Sequence, residues 1–223
     1  MPIGFWLLSA ASFVLELGVV VSLLRSRQYR FYPFILAISL FGVIGELLLT
    51  LGLYHTGPNS RAYALMYWVT DLLTHALILL IVISLIGRAL EPSKTAGKAI
   101  LVLTVVVFAW GLGWLAVLRS QPAWETALTV RLSFCEEILN FILWMTLIRR
   151  RNRDVLLFLV TAGIGLQVTG EVIGHTIRIY AGPRFLWLPD ILVVVSEMAC
   201  LLIWNYGFWM APKAASPGSP PPA

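Results

Sequence analysis

Charge is what this chain has least of. Asp, Glu, Lys and Arg make up 12% of its 223 residues, about half the share of a soluble domain. Lysine, with aspartate, is the scarcest of the four: Lys94, Lys98 and Lys213 all fall between or beyond the hydrophobic runs. The two cysteines, Cys135 and Cys200, lie inside such runs, which argues against a disulfide framework and for small apolar packing. No basic residue precedes the first apolar run, and Glu16 interrupts it. A cleaved signal peptide needs a charged start and a shorter core, so the expectation here is a first membrane helix.

What the chain has in excess is apolar length. Hydrophobic residues are 59% of the total, and seven stretches reach the ~20 residues that a bilayer crossing requires. They lie near 3–24, 32–54, 63–87, 99–118, 126–148, 155–179 and 188–210. The expected fold is an all-α integral membrane protein: a single domain over 1–223, built as a seven-transmembrane-helix bundle. The connections are too short for another domain. Nine Trp and seven Tyr suit a chain with many interfacial anchors. The tail 211–223, rich in Pro, Ser and Gly, is expected to be disordered and cytoplasmic.

The net charge of +5 does not indicate nucleic acid, because the basic residues sit in short loops rather than on one patch. Arg25, Arg27, Arg30, Arg88, Lys94, Lys98, Arg149, Arg150, Arg151, Arg153 and Lys213 follow the first, third, fifth and seventh segments. Arg61, Arg119 and Arg184 lie on the other side, with Arg131 and Arg178 in outer helix turns. Eleven against five predicts an N-terminus outside and a C-terminus in the cytoplasm of a plasma membrane, with a bacterial inner membrane as the natural setting.

The two ends of the chain also resemble each other. Ser12-Phe13 before Glu16 recurs as Ser133-Phe134 before Glu137, and Gly45-Glu46 recurs as Gly170-Glu171. Each Gly-Glu is followed by a Gly-Pro, Gly57-Pro58 and Gly182-Pro183, and Val69-Thr70-Asp71 recurs as Val195-Ser196-Glu197. The common order predicts a parallel internal repeat, 1–87 and 126–210, joined by a linker helix at 99–118 that carries no charge.

The rare acids then define a site. Glu16, Glu46, Asp71, Glu136, Glu137, Glu171 and Glu197 lie inside spans against only Arg131 and Arg178, a formal sum of −5. A low-dielectric medium does not tolerate that sum, so protons, bound cations or water must compensate it. Three acid pairs are repeat mates: Glu16 with Glu137, Glu46 with Glu171, and Asp71 with Glu197. The sixth segment adds a stripe of Gln167, Glu171, His175 and Arg178 at helical spacing, and the fifth adds Asn140 one turn from Glu137. Ionisable groups within a span generally face a protein interior or a wet cavity. The candidate substrate- or ion-binding residues are therefore Glu16, Glu46, Asp71, His75, Glu137, Asn140, Gln167, Glu171, His175, Arg178 and Glu197. Two acid-x-x-x-His pairs, Asp71/His75 and Glu171/His175, place both side chains on one helix face, as a divalent metal site requires. A carboxylate holding a neutral His has the same spacing.

As architecture, this layout resembles the SWEET and PQ-loop transporters and the microbial rhodopsins. Pro-Gln is absent from the first and fifth segments, and the last segment has no Lys for a retinal Schiff base, so retinal attachment is excluded. Glu136-Glu137 resembles the start of the CAAX-type membrane protease motif, but Phe141 stands where that motif has Arg. Three functions fit: a small-solute transporter coupled to protons or cations, a seven-helix sensory module with a small ligand and a cytoplasmic partner, and a metal-dependent intramembrane enzyme. The first is favoured, because parallel repeats around a midplane site are common transporter architecture. The third has too few histidines for a catalytic zinc centre and no evident nucleophile.

Overall fold

A chain in hydrocarbon must satisfy its own amides, and the apolar runs do so by forming helices. The structure is a computed structural model that describes residues 3–57, 60–90, 124–149, 154–180 and 187–211, with a few positions between Lys98 and Gly113. It comprises six long helices: α1 (Ile3–Ser26), α2 (Pro33–Thr56), α3 (Arg61–Ala89), α4 (Trp124–Arg149), α5 (Val155–Tyr180) and α6 (Trp187–Met210). Six of the seven expected segments thus appear within a few residues of their predicted ends. The seventh, 99–118, lies mostly outside the described residues, although its described positions are helical. The tail from 212 lies outside them too, as do Lys94, Arg119, Arg150, Arg151, Arg153 and Arg184.

Among the described residues, five helices are long and apolar enough to cross a membrane. The exception is α4, because any 18-residue window of it holds Glu136 and Glu137 together with Arg131 or Arg149. Its charge has a structural outlet, described below.

Local chemistry sets the helix ends. Ser60 caps α3 by accepting from the Tyr63 amide at 3.0 Å, and Asp154 caps α5 by accepting from Leu157 at 3.0 Å. Pro33 occupies the first turn of α2, where its missing N–H costs nothing. Gly57 ends α2 at φ +78°, a conformation that only glycine adopts freely.

The six helices pack in chain order, each on the next, and α6 returns to α1, so the described helices close into a ring. The most extensive of these contacts, α5 on α6, depends on glycine. A Cβ on Gly163 would stand 2.6 Å from Trp204 Nε1, one on Gly170 would collide with Ser196, and one on Gly174 would stand 2.7 Å from Val193 Cγ2. Small residues at such crossings let backbones approach and gain dispersion contact. At the α2–α3 crossing, a Cβ on Gly45 would lie 3.1 Å from Thr70 Cγ2.

The ring has two unlike ends. Toward the end marked by Arg25, Arg88 and Arg149, the interior is mainly apolar: Leu23, Ile35, Ile81, Leu85, Leu143, Val160 and Phe208 are all buried, and the buried hydroxyls of Ser22, Ser26 and Thr161 donate to carbonyls of their own helices. Cationic side chains clasp this end. The Arg25 guanidinium stacks 3.8 Å from the Trp209 ring centre, while Arg88 donates to the Phe31 carbonyl at 2.9 Å and lies over Tyr32. Toward the opposite end the buried residues become polar: Ser12, Glu16, Ser39, His75, Thr129, Ser133, Glu136, Glu171 and His175.

Candidate functional site

Two adjoining chambers occupy the polar half. The larger, about 390 Å³, is lined by Ser9, Ser12, Glu46, Thr50, Tyr63, Tyr67, Thr70, Asp71, Thr74, His75, Gln167, Glu171 and Glu197, with apolar neighbours. The smaller, about 150 Å³, adds Glu16, Ser39, Gly42 and Trp204, and shares Glu46, Thr70, Thr74, Gln167 and Glu197 with the first. The larger chamber's Leu8, Ser9, Leu53 and Tyr63 belong to the start of α1, the end of α2 and the start of α3. It therefore reaches toward the end of the ring opposite the basic residues.

Helix α1 supplies hydroxyls to this space because Ser9, Ser12 and Glu16 fall on one stripe. Ser9 donates to Glu46 Oε2 at 2.7 Å, and Ser12 donates to Glu197 Oε1 at 3.3 Å. Glu16 lies over Gly42, where a Cβ would displace its carboxylate, and its buried Oε2 has no hydrogen-bond partner. Near the floor, Asn205 donates from Nδ2 to the Leu15 carbonyl at 2.8 Å, tying α6 to α1.

Across the ring, Asp71 accepts from Thr129 at 2.8 Å. One turn deeper, His75 Nδ1 lies 3.0 Å from Glu136 Oε1, with both side chains almost fully buried at 3% and 0% exposure. Glu171 Oε2 stands 4.0 Å from the same nitrogen, and Glu171 Oε1 accepts from Gln167 at 3.1 Å. This is the outlet for the charge on α4: Glu136 is buried against a basic group rather than against lipid.

The structure thus brings Glu16, Glu46, Asp71, His75, Gln167, Glu171 and Glu197 onto the chamber walls. It places four expected residues elsewhere. Glu137 turns toward α5, where it accepts from Thr169 at 3.1 Å. Asn140 is buried beside Gly165, and His175 is buried with its Nδ1 unpartnered. Arg178 pairs with Asp190 in the first turn of α6, a partly exposed bridge. Of the four expected metal candidates, His75 and Glu171 belong to a ligand-sized cluster, whose third member is Glu136 rather than Asp71 or His175. The repeat alignment selects Glu137 because it matches Glu16. The signal for Glu136 was the run Thr129, Ser133, Glu136, Asn140, spaced i, i+4, i+7, i+11, which is the buried face of α4. Thr74 and Ser39 line the chambers without any sequence mark beyond lying one turn from an acid or a glycine, and Thr70 is marked only by its place in the repeat.

No protein-family model matches the chain, and no curated protein or solved structure matches it.

Proposed function

We propose that this chain is a membrane transporter for a small solute or cation, coupled to protons or cations through its central carboxylates. The observation that carries the reading is the larger chamber, whose lining holds four carboxylates, Glu46, Asp71, Glu171 and Glu197, against one histidine. Its volume suits a small organic molecule. Its charge demands a compensating proton or cation whenever the site is occupied and dry. Binding of a solute and binding of a positive charge are thereby linked.

The full architecture in this reading has seven spans, an outside N-terminus and a parallel three-plus-one-plus-three repeat, in a plasma membrane such as a bacterial inner membrane. Ring order supports the repeat: α1, α2 and α3 follow one another as α4, α5 and α6 do, and each half closes on the other. Side-chain pairing supports it too. Gly45 faces Thr70 as Gly170 faces Ser196. The apolar end of the ring acts as the closed gate of one state, and transport requires it to open while the polar end closes.

Reconstituted protein in liposomes tests this with a proton or sodium gradient and a panel of small solutes. The expected result is gradient-dependent uptake, abolished in Glu46→Gln and Glu171→Gln. Uptake that is absent for every solute and cation, or unchanged in both variants, defeats the reading.

The packed apolar end favours one second reading, a sensory module that binds a ligand without passing it. Ligand-dependent co-purification with a cytoplasmic partner, in the absence of flux, is its signature.

A further inference from the structure

We propose that His75, Glu136 and Glu171 form a buried binding site for a first-row divalent cation, of the Mn²⁺, Fe²⁺ or Zn²⁺ class. The site is independent of whether the protein moves a solute. Three helices, α3, α4 and α5, bring one ligand each, and the three ligand atoms lie within 4.8 Å of one another. One imidazole with two carboxylates is a mixed nitrogen and oxygen set. Such a set favours first-row divalent ions over Ca²⁺ and Mg²⁺, which take all-oxygen shells, and over Cu(I), which takes sulfur.

Charge makes the stronger case. Two carboxylates and a neutral imidazole carry −2, which one divalent ion cancels within the cluster. A protonated His75 cancels only half of it, and in the structure it serves Glu136 at 3.0 Å and leaves Glu171 at 4.0 Å. Glu171 Oε2 has no hydrogen-bond partner although the residue is only 8% exposed. A cation held beside His75 would meet that oxygen. Its sister oxygen is held by Gln167 at 3.1 Å, the kind of outer hydrogen bond that orients a ligating carboxylate.

Two of the three separations can be set against those of a filled site, and the third lies within 4.8 Å. Ligands bonded at ~2.1 Å stand ~3.0 Å apart at right angles and ~3.4 Å apart in a tetrahedron. The His75 Nδ1 to Glu136 Oε1 separation of 3.0 Å already falls in that range. Glu171 reaches it by moving ~0.6–1 Å inward. Binding displaces the proton on Nδ1, which leaves to water, so the metal and the proton compete for one position.

The test uses the full chain in detergent, stripped with chelator and titrated with Mn²⁺, Co²⁺ or Zn²⁺. One saturable equivalent is expected, weakened at least tenfold in Glu136→Gln and in Glu171→Gln while circular dichroism and gel filtration stay unchanged. Gln167→Ala should weaken binding about tenfold through ligand orientation alone. Should the glutamate variants fail to fold, Mn²⁺ bound to the wild-type chain decides by electron paramagnetic resonance. A nitrogen coupling lost in His75→Gln supports the site, and an all-oxygen signal overturns it. Absence of a stoichiometric ion, or binding indifferent to both glutamates, also overturns it. Binding without flux supports this site and defeats the transport reading. Flux without binding does the reverse.

Discussion

The His75–Glu136 contact yields a prediction that can be worked through from its geometry. Two opposite charges 3.0 Å apart attract by ~5–6 kcal/mol at an effective dielectric near 20. Desolvating both groups cancels much of that, so the intact pair adds little net stability. Removing one partner is different, because the other remains buried without compensation, at about 3–5 kcal/mol. His75→Leu and Glu136→Leu should therefore each destabilise the bundle by about that amount, whereas the double variant should recover most of the loss. The expected coupling energy is therefore at least ~4 kcal/mol, above the ~0.5–3 kcal/mol usual for contacting residues. The assay is unfolding in mild detergent titrated with a denaturing one, with chelator present so that no metal contributes. The reasoning fails if either single variant loses under ~1 kcal/mol, or if the two losses simply add.

Three further outcomes follow from the packing. Gly170→Ala drives a methyl into Ser196, whose Cβ is fixed to its backbone, so overpacking of ~1–3 kcal/mol should outweigh the ~1 kcal/mol helix-propensity gain and lower the melting temperature. Its mate Gly45→Ala meets only Thr70 Cγ2 at 3.1 Å and should leave melting nearly unchanged. Asn205→Leu removes the bonds to the Leu15 and Leu201 carbonyls at 2.8 and 3.0 Å, and should lose ~1–2 kcal/mol in the same unfolding assay. In a background where Cys135 and Cys200 are replaced by Ala, Thr74→Cys should react with a charged thiol reagent, and Val82→Cys, two turns deeper, should not. Equal rates at the two positions would mean that the packed end of the ring is wet.

Much of the fold was legible because bilayer thickness dictates how long an apolar run must be. Six of the expected segments, from the one at 3–24 to the one at 188–210, appear as helices with ends displaced by no more than about a turn. Stripes within one helix were legible too: Ser9, Ser12 and Glu16 share a face, and Asp71 and His75 share another, because 3.6-residue periodicity needs no tertiary information. Partner choice between helices was not legible. Nothing in the sequence ties His75 to Glu136, which lies 61 residues away. Glu136 and Glu137 differ by one position, and about 100° of rotation decides which of them meets the histidine. Arg178 was a candidate for the interior, yet Asp190, in the next helix, draws it to a partly exposed bridge.

The packed apolar end of the ring also has an electrical consequence. Along α3 it runs from Ile78 to Ala89, a rise of ~17 Å, a little over half of a ~30 Å hydrocarbon core. If water fills the chambers down to His75, nearly the whole transmembrane voltage falls across that shorter stretch, and the local field there almost doubles. A cation arriving at the chamber walls then does little work against the voltage. Carrying one charge through the packed end involves nearly the full ~2.3 kcal/mol per 100 mV. Occupancy of the chamber should accordingly be insensitive to membrane voltage, and in the proposed transporter the rate of passage should be steeply dependent on it.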